Sequence, residues 1–180
     1  FKAMNESSES FKLMDDITLT GDYAVASFSG YLDGNGKTIT VTNGTTAIFA
    51  ETTATAEIYN LTLRGNLTIS EETEAVLAKI NYGIISDCKN YATLIADGNE
   101  LNDCGVFAGE SQGTIAGCVN YADLVFSGAR CGGIVGDNNG GVVSDCGNYG
   151  DINKGFSIAG IVGQHSGGKL VSGCYNTGTI

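Results

Sequence analysis

GIISDCKNYATL from Gly83, GTIAGCVNYADL from Gly113, GVVSDCGNYGDI from Gly141 and KLVSGCYNTGTI from Lys169 are four versions of one phrase. Their cysteines, Cys88, Cys118, Cys146 and Cys174, fall 30, 28 and 28 residues apart. A period in that range belongs to a solenoid, in which each unit is one supersecondary element that buries its apolar face only against its neighbours.

Working outward, EIYNLTLRGNL from Glu57 fits the same phrase, with Leu61 at the cysteine position. Gly65 then aligns with Ala92, Ala122, Gly150 and Gly178, and Leu67 with Leu94, Leu124, Ile152 and Ile180. An apolar strand signal precedes each phrase and puts Phe49, Leu77, Phe107, Ile134 and Ile161 in one column, while Ile58, Ile85, Ile115, Val143 and Val171 form another. Columns of like residues are what stacked parallel strands produce, about 4.8 Å apart along the axis. Each unit holds about three short strands between Gly, Asn and Asp turns, with no room for a crossover helix.

The sequence therefore predicts an all-β fold, a single-stranded, right-handed parallel β-helix of about six coils. Passes of one sheet starting near Ile17, Ile39, Ile58, Ile85, Ile115, Val143 and Val171 imply roughly 30 Å of axial length. Residues 1–180 read as one domain: a capping segment over 1–16, where FKAMNESSESFKLM is the only helix candidate, degenerate first coils over 17–46, and regular repeats over 47–180. The abrupt opening at Phe1 and the stop inside a repeat at Ile180 read as a piece excised from a longer protein.

Composition agrees. The chain has 27 glycines, no proline and no tryptophan, which suits short strands joined by turns. A net charge of −11 with only nine Lys and Arg argues against nucleic acid and anionic membranes, whose recognition needs clustered cations. No apolar run reaches the length of a membrane span, so this segment is not expected to insert.

The FSGYLDGNGKTI stretch from Phe28, the GGIVG-type strands and the repeated cysteine phrase resemble the GLUG-motif β-helix repeats of large bacterial surface proteins, including the non-catalytic repeat regions beside IgA-specific metallopeptidase domains. The resemblance covers nearly the whole chain and implies a β-helix on the bacterial cell surface, secreted and adhesin-like. Those metallopeptidases use an H-E-x-x-H zinc site, whereas this chain has a single histidine, His165, so that activity is not carried over.

Candidate chemistry is sparse. Leu61 stands in the first cysteine column and Ile158 in the column of Cys104 and Cys131, so the six cysteines read as small buried hydrophobes. Disulfides between neighbouring coils are within reach by distance, although parallel side chains give poor geometry for them. No C-x-x-C pair marks a zinc site. Asn90, Asn120, Asn148 and Asn176 read as turn residues whose amides bond along the axis.

Tyr91, Tyr121 and Tyr149 form an aromatic column that Thr177 ends. If exposed, it would suit stacking on sugar rings or contact with a partner; if tucked in, it packs over the turn. Asp123 and Asp151 are adjacent-coil neighbours that could hold calcium weakly, with solvated turn acids as the plainer reading. Asp87 and Asp145 share a column that Gly117 and Gly173 interrupt. Thr18, Thr20, Thr38, Thr40 and Thr42 suggest an ice-binding ladder, but Ser86, Ala116, Ser144 and Ser172 follow on what reads as the same strand. His165, in QHSGG, has no evident acid or nucleophile beside it.

These readings favour a non-catalytic, cofactor-free extracellular module, a rigid scaffold or adhesive surface for an unknown glycan or protein. A polysaccharide-active β-helix, lyase or glycoside hydrolase, is the alternative. It would need two acids, or an acid and a cation, within reach of one sugar.

Overall fold

The computed structural model describes residues 2–70, 72–96, 102–153, 157–167 and 169–180. Among them the chain winds into a β-solenoid of about five complete turns, made of four parallel sheets. The first has seven strands, Ser10–Lys12, Tyr31–Asp33, Glu57–Tyr59, Ile84–Ser86, Thr114–Ala116, Val142–Ser144 and Val171–Ser172. A ten-stranded sheet, a four-stranded one and a five-stranded one complete the coil, and their strands pair parallel throughout the described residues. No helix of the described residues is long and apolar enough to cross a membrane.

The isoleucine column is as expected: Ile58, Ile85, Ile115, Val143 and Val171 pair in succession, and Leu32 and Phe11 extend it by two coils. All are buried except Phe11 and Val171, at the two ends of the stack. Leu77, Phe107 and Ile134 lie fully buried, and Ile161 packs partly buried in the last coil. Phe49 is also buried but sits one residue off that column, opposite Ala78, and its ring meets Phe28 at 5.4 Å between centroids.

Three expectations need correcting. The expected helical cap over 1–16 reduces to one 3-10 turn, Lys2–Met4; Ser10–Lys12 is instead the first strand, and Phe11 packs over Phe28 at 6.2 Å. Ile17 and Ile39 belong to the ten-stranded sheet, opposite each other and then Leu63, so they are not passes of the Ile58 sheet. The threonine row accordingly continues from Thr18 and Thr40 into Arg64, not into Ser86.

One residue type decides where the ten-stranded sheet breaks. In the third coil Thr62–Ile69 is a single strand with Leu63 inside it. Opposite Leu63 the next coil has Asn90, whose amide donates to Ala92 O at 2.9 Å and accepts from Ala92 N at 3.1 Å. That side chain satisfies the backbone locally, so the strand splits into Lys89–Asn90 and Thr93–Ala96.

Candidate functional site

The repeated polar residues fall into axial ladders. Asn90 donates to Asn120 at 2.8 Å, Asn120 to Asn148 at 2.7 Å and Asn148 to Asn176 at 2.7 Å. The first three are buried and each also bonds the carbonyl two residues on, so their amides are used within the fold. A second ladder, of unlike residues, runs on the five-stranded sheet. Thr52 donates to Asn81 at 2.6 Å and Asn81 to Ser111 at 3.1 Å, while Asn138 meets His165 Nδ1 at 3.1 Å. His165 is exposed but not merely solvated: it ends this ladder, and its Nε2 lies 3.0 Å from Lys169 O. The column has no repeated residue type, which is why the pattern conceals it.

All six cysteines are free thiols. Each donates to the carbonyl two residues back, as Cys88 to Ser86 at 3.2 Å and Cys118 to Ala116 at 3.4 Å, a bond that Leu61 cannot make. Burial pushes the Cys118 thiol well up. Five are buried; Cys174, in the last coil, is only partly covered. The Cys104–Cys131–Ile158 column has a fourth member that the sequence reading missed, Glu74. Glu74 is 1% exposed, and burial raises its pKa.

Asp123 and Asp151 are structural caps. Asp123 Oδ1 accepts from Asp151 N at 2.9 Å, and Asp151 Oδ1 from Thr179 N at 2.7 Å, so each carboxylate tethers the coil above. Groups of three or more metal-ligating side chains are absent among the described residues. Asp87 and Asp145 share their column with Asn60, Gly117 and Gly173, and all five have positive φ. Only residues that tolerate the left-handed region fit there. A Cβ on Gly117 would stand 2.7 Å from Asp87 Oδ1, and one on Gly173 2.3 Å from Asp145 Oδ1, so a larger residue there would push the carboxylate end aside.

The tyrosines are exposed, Tyr91 by 38%, Tyr121 by 40% and Tyr149 by 45%. Their rings are stacked on one another, Tyr91 on Tyr121 at 4.8 Å and 7°, Tyr121 on Tyr149 at 5.1 Å and 2°. Arg64 covers the outer face of the row at 4.5 Å from the Tyr91 centroid. Tyr175 closes the other end edge-on, its hydroxyl 3.0 Å from that of Tyr149. The faces expected to meet sugar rings are therefore turned to each other, and the stripe presents ring edges and hydroxyls.

A mixed-charge group sits at the corner near Arg130, whose Nε lies 3.0 Å from Asp103 Oδ1. Burial raises the Asp103 pKa to about 6 against the pull of Arg130, with Asp137 and Glu110 adding negative charge nearby. Asp137 is buried and accepts from Ser166 at 2.7 Å, and Glu110 accepts from Asn139 at 3.0 Å.

Comparison with protein-family models finds no match, and neither the curated proteins nor the solved structures contain a significant one.

Proposed function

We propose that this chain is a non-catalytic, extracellular repeat module, a rigid scaffold with an adhesin-like face in a bacterial surface protein of the GLUG-motif kind. The observation that carries the reading is the direction of its polar side chains: asparagines, capping aspartates and tyrosine rings are engaged along the axis, holding coil to coil. Catalysis needs groups held free and convergent at one spot. Recognition falls to the tyrosine stripe, whose edge hydroxyls and Arg64 offer hydrogen bonds in a row to an extended glycan or protein.

A glycan array with the intact chain tests this. Tyr91→Phe with Tyr121→Phe and Tyr149→Phe keeps the stacking and removes the hydroxyls, so bound glycans should be lost while the thermal midpoint changes little. Binding that survives the triple variant would overturn the role of the stripe.

The polysaccharide-active reading is favoured by one observation, the pairing of Asp103, its pKa raised to about 6, with the Arg130 cation. Under the scaffold reading, uronate polysaccharides stay intact on incubation with the protein. Cleavage that disappears in Asp103→Asn would establish the enzyme instead.

A further inference from the structure

Glu74 breaks the rule of its own column. The equivalent positions in the following coils are Cys104, Cys131 and Ile158, all apolar or nearly so, and a carboxylate there is a costly exception. Such departures from local consistency concentrate at functional sites. Glu74 lines a cavity of about 330 Å³ together with Asp22, Thr45, Thr46, Ala50, Ser70 and Lys79. That volume is at the small end of ligand-holding clefts, which run from about 300 to 1,000 Å³.

Both carboxylates of the lining are engaged. Glu74 Oε1 lies 3.5 Å from Lys79 Nζ, and its Oε2 accepts from Ala47 N at 3.0 Å. Asp22 is held by Thr45, whose N–H and hydroxyl donate to its two oxygens at 2.8 and 2.9 Å. Thr46 donates its hydroxyl proton to Glu74 Oε1 at 3.4 Å, so the site offers the Ser70 hydroxyl as donor and acceptor, the lone pairs of the Thr46 hydroxyl and of the two carboxylates, and the Lys79 ammonium, beside Ala50. An anion would meet two carboxylates, and a divalent cation would have to displace the ammonium from Glu74. A neutral ligand bearing adjacent hydroxyls satisfies both kinds of group at once.

The geometry points to this cavity as a binding site for one neutral pyranose unit, free or at the end of a glycan chain. It is separate from the tyrosine stripe and stands or falls apart from the scaffold reading, since each predicts changes at different residues.

Titrating the 15N-labelled intact chain with methyl glycosides of glucose, galactose, mannose and N-acetylglucosamine tests it, with a β-linked tetrasaccharide of any binding sugar in a second arm. At least one glycoside should cause saturable shifts at the amides of Thr45, Thr46, Glu74 and Lys79. Shifts with the tetrasaccharide as well identify a chain end as ligand; shifts with the monosaccharide alone identify a free sugar. Ser70→Trp, at an exposed position, fills the mouth and should weaken binding roughly tenfold or more, the equivalent of one or two lost hydrogen bonds. Thr46→Val removes one hydroxyl at nearly constant volume and should weaken it several-fold, which keeps the test open if the tryptophan variant misfolds. Absence of saturable shifts at these amides with every glycoside, shifts confined to Tyr91, Tyr121 and Tyr149, or shifts produced by calcium chloride alone would each overturn the site.

Discussion

At the scale of the residue, backbone geometry explains choices that side-chain chemistry cannot. Gly117 has φ +63°, so Gly117→Ala meets left-handed strain, while the end of the Asp87 side chain can shift to admit the methyl. The substitution should destabilise the fold by about 1–2 kcal/mol, while Asp87→Asn, which suits the same conformation, should cost much less. Urea unfolding midpoints of the two variants check this. The same geometry explains why Asp87 and Asp145 looked in the sequence like a broken acidic column: the position selects for left-handed tolerance, and Asp, Asn and Gly all meet it.

Asp103 sets a pH dependence. Its folded pKa, about 6, lies above the ordinary carboxylate value of 3.8, so the folded state holds its proton longer than the unfolded one does. Stability therefore falls as pH rises from about 4 to about 6 and levels off above, with Glu74 contributing in the same direction. Unfolding by urea at pH 5 and pH 7 should show the higher midpoint at pH 5, and Asp103→Asn should narrow the difference. An unchanged gap in that variant would remove Asp103 as its source.

At the scale of the element, the asparagine ladder ties four successive coils together through side-chain amides. Asn120 is buried and bonded above, below and to its own turn, so Asn120→Ala leaves partners in Asn90 and Asn148 unmet. The expected cost is about 3 kcal/mol, against less than about 1 for Asn176→Ala at the exposed end. Thermal or urea denaturation distinguishes them, and equal effects would mean that the ladder does not transmit along the axis. This ladder, the cysteine column and the isoleucine column were legible in the sequence because each repeats one residue type. The Thr52, Asn81, Ser111, Asn138 and His165 column was not, since its members share only a hydrogen-bonding role. Glu74 escaped for the opposite reason: three apolar members of its column concealed the acidic one.

At the scale of the molecule, the regular period gave the parallel solenoid, and the period also marks where the reading slipped. The later passes of the first sheet begin 27 to 30 residues apart, but the first three, at Ser10, Tyr31 and Glu57, are spaced by 21 and 26. The shorter first coils moved Ile17 and Ile39 into the wrong sheet and made a strand at Phe11 look like part of a helical cap. The exposure of the tyrosine stripe could not be read from the pattern either, because whether a column points outward depends on how each turn bends. With the rings stacked at 4.8 and 5.1 Å, the stripe is part of the axial bracing and presents only ring edges and hydroxyls outward.

The coils stack parallel and in register along one axis. Tyr31, Glu57, Ile84, Thr114 and Val142 occupy one outward column of the first sheet, one coil apart. Spin labels on cysteines introduced at Tyr31 and Val142, and in a second sample at Tyr31 and Thr114, in a chain whose partly covered Cys174 is replaced by leucine, measure the spacing by electron–electron dipolar coupling. Stacked coils should give narrow distributions whose centres differ by about 5 Å, one coil, with the Tyr31–Val142 distance near 19 Å before label length is added. Broad distributions, or a Tyr31–Val142 distance no longer than the Tyr31–Thr114 distance, would contradict it.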